Sequence, residues 1–309
     1  MSHVFSLETN KGGLCGLVNI GNTCYLNSII QSLMNSIHLL NNIYTFDDTI
    51  NLEKSVLLKE LLKLIEGVWE ENCMVLPKSF IETLSSIDKS DLNCQNDPDE
   101  YLEKIIDKLY EETCIERLPE NTDNVLIKEW NTYFKNKHSF VNTIFYGQYR
   151  SEICCNSCDN VSLTYIPFIT LKLELVDNNV INCLKSHLSW ENNIEYNCEK
   201  CEYKTGKKRL TLTRMPHIFM ITLKRYNNIM MKNDICVEYP HSFEIDSNKY
   251  ELYSIINHFG PNVFCGHYTT YIKYLHTNKW YHMDDANIEE IDINEINKQN
   301  VYILFYCRK

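Results

Sequence analysis

"GLVNIGNTCYLNSIIQSLMN", residues 16–35, joins a glycine-broken turn to a strongly periodic segment, with a cysteine at the junction. After Cys24 the apolar residues fall at Leu26, Ile29, Ile30, Leu33, Met34 and Ile37. That i, i+3, i+4, i+7 spacing predicts a helix with one buried face. Asn22 and Thr23 both suit an N-cap, which sets Cys24 in or just before the first helical turn. A thiol there meets unpaired backbone N–H groups and the positive end of the helix dipole, and both favour the reactive thiolate. A small buried apolar residue is the commoner fate of a free cysteine, so the rest of the chain has to decide between the two.

At 309 residues and 44% hydrophobic, the chain is long enough for a large globular unit. The net charge of −11 leaves no basic surplus, which excludes a nucleic-acid binder of ordinary composition. An acidic surface keeps a protein soluble and can steer a basic partner. The start, "MSHVFSLETNKGG", has no apolar signal segment, and no run is long enough to span a membrane. The expected compartment is therefore the cytosol or nucleus. The 14 cysteines then read as ligands, nucleophiles or core rather than disulfides.

The first 120 residues read as helical. "SVLLKELLKLIEGVW", residues 55–69, is apolar at helical spacing, and "NDPDEYLEKIIDKLYEE", residues 96–112, carries a clear start signal. Asp97 can cap, Pro98 suits the first helical position, and Glu100 stands where a capping box requires an acid. From about 140 the pattern alternates, in stretches such as "SFVNTIFYGQYRSEICC", "HIFMITLKRYN", "HYTTYIKYL" and "VYILFYCRK". Helices first and strands later, without β-α alternation, predict an α+β fold.

Cys155-Asn156-Ser157-Cys158 and Cys198-Glu199-Lys200-Cys201 are both Cys-x2-Cys pairs, each where strand pattern gives way to a turn. Two such knuckles brought together form a tetrahedral four-thiolate site, the closed arrangement of structural Zn2+. A redox pair would open a helix near a β-α-β unit, which this chain lacks. Cys154 competes with Cys155 as a ligand, but only Cys155 gives the x2 spacing. The long loop between the pairs has to be an ordered excursion.

A nucleophilic cysteine needs a base for its proton and a third group to orient that base. His3, His138 and His187 sit in unremarkable contexts, whereas His267 follows Gly266 at the head of the strand pattern "GHYTTYIKY". The glycine would leave room for a substrate backbone. A strand out, a turn around "HTNK" and the strand "KWYHMDD" back would bring Asp284 or Asp285 beside His267.

These residues carry a family pattern. "GLVNIGNTCYLNSIIQSLMN" resembles the cysteine box of the ubiquitin-specific proteases, and "FCGHYTTYIKYLHTNKWYHMDDANI" resembles their histidine box. "CQNDPDEYL" is similar to the family's Gln-Gln-Asp-Ala-His-Glu-Phe-Leu segment, and "FYGQYRSEICCNSC", "YNCEKC" and "RMPHIFMITLKRYN" follow in the family's order. The resemblance implies one catalytic domain over residues 14–309 of the papain-like cysteine protease fold, preceded by a tail over 1–13. It implies a helical thumb (about 14–135), zinc-pinned β fingers (about 140–215) and a β-sheet palm (about 216–309).

By position, the resemblance makes Cys24 the nucleophile, His267 the general base, Asp284 its orienting residue and Asp285 a second polar group that assists. Asn19 matches the side chain that stabilises the oxyanion, a donor worth about 3–4 kcal/mol in such enzymes. Asp97 and Glu100 match acidic positions that contact the arginines of the ubiquitin tail. Asp99 stands in place of the family's histidine and Asn96 in place of its second glutamine; Asp99 adds acidity suited to a basic tail. Cys265 is read as incidental. The implied activity is deubiquitination through a Cys24 thioester. The expected partners are ubiquitin and ubiquitinated proteins, without nucleic acid, membrane or organic cofactor. The chain is expected to be a monomeric bare catalytic core. An inactive ubiquitin-binding scaffold and a protease for another ubiquitin-like modifier are the competing readings.

Overall fold

The segment after Cys24 is helix α1 (Cys24–Met34), and every one of its residues is buried. A helix with one apolar face becomes fully covered only if its polar residues find partners. Gln31 Nε2 donates to the Cys15 carbonyl at 2.6 Å, Ser32 Oγ bonds Ser254 Oγ at 2.8 Å, and the Ser28 carbonyl accepts from Thr270 Oγ1 at 3.1 Å. The computed structural model describes residues 12–43, 50, 52–69, 74–89, 94–118, 122–226, 231–262 and 265–309. Most of the tail expected over 1–13, with His3, lies outside the described residues.

The helical part continues with α2 (Ile37–Ile43), α3 (Val56–Trp69), α4 (Lys78–Asp88), α5 (Pro98–Thr113), α6 (Val125–Tyr133) and α7 (Phe140–Phe145), with β1 (Ile115–Glu116) and β2 (Lys137–His138) paired antiparallel across α6. Helix α3 is capped from outside: the Glu112 carboxylate accepts from the N–H groups of Leu57 and Leu58 at 3.2 and 2.9 Å. Helix α5 starts where expected, with Asp97 accepting from Asp99 N–H and Pro98 in the first turn. Its capping box does not close, because Glu100 pairs with Lys104 one turn on, at 2.8 Å. The closed box is at α7, where Ser139 and Asn142 satisfy each other's backbone. That cap corrects the strand expected from residue 139, which begins only at Gly147.

The strands are β3 (Gly147–Cys155), β4 (Val161–Phe168), β5 (Thr170–Glu174), β6 (Glu191–Glu195), β7 (Thr205–Arg214), β8 (Ile218–Lys224), β9 (Ser242–Ile245), β10 (Asn248–Asn262), β11 (Cys265–Lys273), β12 (Trp280–Asp284), β13 (Asn287–Ile291) and β14 (Val301–Arg308), with helix α8 (Val180–His187) between β5 and β6. The large sheet runs β13-β12-β11-β10-β14-β8-β5, with β9 beside β10. Every pair in it is antiparallel except β5 with β8. A second antiparallel sheet runs β4-β3-β7-β6.

The large sheet is covered on both faces. Along β8, Ile218 and Met220 join the core under the helices, while Phe219, Ile221 and Leu223 join a second core with Val180, Leu184 and Val237. Burial on both faces explains why its strands read as continuous apolar runs. The second sheet is thin: β4 exposes Val161, Leu163 and Ile166, so it has little core of its own. The mixed helices and sheets agree with the α+β expectation. Among the described residues no helix is long and apolar enough to cross a membrane.

Candidate active site

The turn before α1 is held by its own side chains. Asn19 Oδ1 accepts from Gly21 N–H at 3.0 Å and from Thr23 N–H and Oγ1 at 3.2 Å each. Asn22 takes a left-handed conformation, with φ of 53°. Thr23 occupies the N-cap position but its side chain does not cap; it accepts from Ile20 N–H instead, at 3.1 Å. The first turn of α1, which begins at Cys24, is thus left open to another acceptor.

His267 stands at the head of β11, and Asp284 ends the adjacent β12. Nε2 of His267 meets Asp284 Oδ1 at 2.6 Å, which turns the other ring nitrogen to Cys24. The hydrogen bond with Cys24, joined by the one with Asp284, raises the imidazole to about 9 against the opposing effect of burial. This arrangement favours an imidazolium beside the sulfur. Cys24 is only 1% exposed, while the His267 and Asp284 side chains are 40% and 41% exposed. An electrophile therefore has to reach the sulfur through a narrow approach beside the imidazole.

Asp285 follows with a left-handed φ of 49°, and one of its carboxylate oxygens lies within 4.8 Å of a ring nitrogen of His267 and a carboxylate oxygen of Asp284. Its Oδ2 accepts from Asn19 Nδ2 at 2.9 Å and its Oδ1 from Asn27 Nδ2 at 2.8 Å. Its carbonyl accepts from Leu17 N–H at 2.8 Å. Gly16 makes this docking possible: a Cβ there would lie 2.2 Å from the Ala286 carbonyl oxygen. Asp284 therefore holds the imidazole, and Asp285 holds the amide of Asn19. Asn27 was missed in the sequence; its only signal was a polar residue one turn beyond Cys24 on an otherwise buried helix.

Gly266 also answers a need within the fold. A Cβ there would meet His258 Nε2 and the Phe259 carbonyl oxygen, each at 2.5 Å. The glycine thus admits the neighbouring strand and a buried histidine. Burial first, then Lys232 and His267, press His258 down to about 4, so it is neutral. Its ring packs on Tyr268 at 4.4 Å.

Two of the three acidic residues at the start of α5, Asp97 and Asp99, are tied inward. The carboxylate of Asp97 caps α5 and accepts from Tyr302 Oη at 2.9 and 2.8 Å, and burial pushes it up to about 6. Asp99 is buried, bonding Thr222 Oγ1 at 2.5 Å and Lys172 Nζ at 3.0 Å. Its charge is neutralised inside the fold, which corrects the expectation that it adds outward acidity. Glu100 is exposed and paired with Lys104.

The four cysteines of the two pairs converge at one end of the small sheet. Cys155 and Cys201 sulfurs lie 3.6 Å apart, those of Cys158 and Cys198 lie 3.7 Å apart, and all four fall within 4.8 Å of one another. Zn–S bonds of about 2.3 Å in a tetrahedron set sulfurs about 3.8 Å apart, so the donor set fits that ion. Cys154 turns toward Glu152 instead, with its sulfur 3.9 Å from Oε1, which resolves the choice between neighbouring thiols in favour of Cys155.

The sequence matches the family described as ubiquitin carboxyl-terminal hydrolase over residues 15–306. Ubiquitin carboxyl-terminal hydrolase 4 of Eremothecium gossypii is 28% identical over an alignment taking in 95% of this chain and 42% of its own length. Usp2 of Drosophila melanogaster is 30% identical over 98% of this chain and 36% of its own length. The chain thus spans less than half the length of these curated relatives. Among solved structures, the SAGA Ubp8/Sgf11/Sus1/Sgf73 DUB module bound to ubiquitin aldehyde shares the fold, with a TM-score of 0.75, 24% identity, and coverage of 99% of this chain and 71% of that chain.

Proposed function

This chain belongs to the ubiquitin carboxyl-terminal hydrolase family, and from that premise we propose that it cleaves the bond after ubiquitin's C-terminal glycine through a thioester on Cys24. The observation that carries the reading is the hydrogen-bonded series from Cys24 through His267 to Asp284. The relative solved with ubiquitin aldehyde supports ubiquitin as the partner.

The Cys24 thiolate attacks the glycine carbonyl carbon, and a C–S bond forms as the carbonyl oxygen takes the charge. Asn19 Nδ2, fixed by Asp285, and first-turn N–H groups of α1 receive that oxyanion. Collapse breaks the C–N bond while imidazolium His267 gives its proton to the leaving lysine amine. His267, now neutral and oriented by Asp284, takes a proton from water as the water attacks the thioester. The C–S bond breaks and the thiolate returns. A diglycine tail, with no side chains, suits an approach in which the sulfur is 1% exposed.

Residues 14–135 form the thumb in this reading, about 140–215 the fingers and about 216–309 the palm, although β5 of the middle stretch pairs in the large sheet. Cys155, Cys158, Cys198 and Cys201 would hold a structural zinc ion, which pins the thin sheet and leaves no open coordination position for catalysis. Asp97 and Glu100 would face the arginines of the ubiquitin tail.

Hydrolysis of ubiquitin carrying a C-terminal fluorogenic amide tests the proposal. Turnover is expected to vanish in Cys24→Ala while ubiquitin binding persists. Equal turnover in that variant refutes the assignment. Wild-type binding without turnover identifies a scaffold, and neither activity nor binding points to another ubiquitin-like modifier.

A further inference from the structure

Strands β10 and β11 pair in register from Ser254 with Ile272 to Phe259 with His267, and the register shifts before Asn262 with Cys265. Gly266, the residue directly before His267, matches no residue of β10 in this ladder. The strands come too close there for side chains: a Cβ on Gly260 would lie 2.6 Å from the Gly266 Cα. A glycine outside the ladder, with no side chain to pack, is a weak anchor for the residue after it.

Both polar backbone groups of Gly266 are taken by one side chain. Its N–H donates to Gln95 Oε1 at 2.7 Å, and its carbonyl accepts from Gln95 Nε2. The carboxamide of Gln95 therefore does the work of a missing ladder partner. The next residue acts on the other half of the pair: Asn96 Nδ2 donates to Tyr25 Oη at 3.2 Å, and Tyr25 directly follows Cys24. The Tyr25 ring is also held edge-on by Tyr101 of α5, with centroids 5.0 Å apart. Two adjacent residues just before α5 thus grip the residue before the imidazole and the residue after the thiol.

We propose that Gln95 is a positioning residue for His267, and that Gln95 with Asn96 forms a brace setting the distance between the Cys24 sulfur and the His267 ring. The inference rests on the proposed Cys24–His267 chemistry but not on ubiquitin being the substrate. The groups facing His267 are Cys24 from α1, Asp284 and Asp285 at the end of β12, and the histidines His258 and His282. Burial lowers both of those histidines, which leaves Cys24 and Asp284 to set the imidazole's titration.

Gln95→Met keeps length and removes both hydrogen bonds; Gln95→Glu keeps the acceptor for Gly266 N–H. In the ubiquitin-amide assay, Gln95→Met is expected to lower kcat about 10- to 100-fold with KM within about twofold, as misplacement of a reacting group does. Gln95→Glu should recover part of kcat, and Asn96→Ala should lose less than Gln95→Met. Side-chain NMR of the ubiquitin-free protein should show His267 titrating near 9 in the wild type and closer to 6.5 in Gln95→Met. A raised KM with unchanged kcat overturns the brace and makes Gln95 a substrate contact. So does a His267 titration that does not move. If the wild type fails to turn over ubiquitin amide while the variant still shifts the titration, the substrate reading fails and the brace stands.

Discussion

Asp285 and Asn19 offer a test of how the proposed oxyanion donor is held. Asp285→Ala removes the acceptor of Asn19 Nδ2 at 2.9 Å and of Asn27 Nδ2 at 2.8 Å. Removing an oxyanion donor outright costs about 100- to 1000-fold in kcat. Asn19 keeps its Oδ1 bonds to Gly21 and Thr23 when Asp285 is lost, so its amide is loosened rather than removed. We expect Asp285→Ala to lower kcat about 30- to 100-fold, somewhat short of the full loss of a donor. Stability should fall by about 1–2 kcal/mol, because the buried Asn27 amide loses its charged acceptor and keeps only the Leu17 carbonyl at 3.3 Å. About 1 kcal/mol more comes from alanine at a left-handed φ. The assay is a double-mutant cycle on turnover of ubiquitin amide, with urea unfolding of each variant. If Asp285 acts through Asn19, the double variant is no slower than Asn19→Ala, a coupling of about 2–3 kcal/mol. Asp285→Asn, which tolerates the left-handed backbone and keeps one acceptor, should fall between. Additive losses, with a His267 titration that moves in Asp285→Ala, would show that Asp285 acts on the imidazole and refute the reasoning.

Gly266→Ala should lower kcat more than tenfold and destabilise by about 1–3 kcal/mol, because its Cβ would press His258 Nε2 and the Phe259 carbonyl at 2.5 Å; near-wild-type turnover contradicts the close approach. Elemental analysis should find one zinc per chain, and Cys198→Ser should lose the ion, lower Tm and raise KM for ubiquitin amide more than it lowers kcat. Metal-free protein of unchanged Tm contradicts that assignment. His258, held neutral with its value lowered from 6.5 to about 4, contributes stability that is present above about 6.5 and lost as pH falls toward 4. The loss is at most about 3 kcal/mol. In His258→Gln, urea unfolding should lose less stability between pH 7 and 4.5 than in the wild type, and equal slopes would count against the histidine.

The parts of the fold legible in the sequence are those whose cause is local. Cys24 at the start of α1, the apolar stripes of α3 and α5 and the cap at Asp97 all follow from spacing within one turn or two. The two Cys-x2-Cys pairs signal each other because thiolates at that spacing have few other uses. Local pattern failed where two local signals competed. Residues 140–145 alternate well enough for a strand, yet the Ser139–Asn142 capping box starts a helix. It failed again where a distant partner decided the outcome. Asp99 is drawn inward by Thr222 and Lys172, and Gly266 also makes room for His258. The choice between Asp284 and Asp285 depends on a left-handed residue at a strand end, which composition does not announce. Asn19 and Asp285 have functional positions by family resemblance, but their bond to each other is visible only in three dimensions.

Strand β5, which pairs in parallel with β8, lies in the chain between the two cysteine pairs. The polypeptide runs out along β3 to Cys155 and Cys158, returns through β4 to insert β5 at the edge of the large sheet, and travels out again to Cys198 and Cys201. The thin sheet is therefore no module that could be cut out and grafted at two joints, since its excision would remove an edge of the main sheet. Pairing β5 with β8 closes a loop of about fifty residues that contains the second cysteine pair. Bringing the two cysteine pairs together closes a loop of about forty residues in an overlapping stretch, so an ion held there would ease the strand pairing, and the pairing would ease assembly of the ion's site.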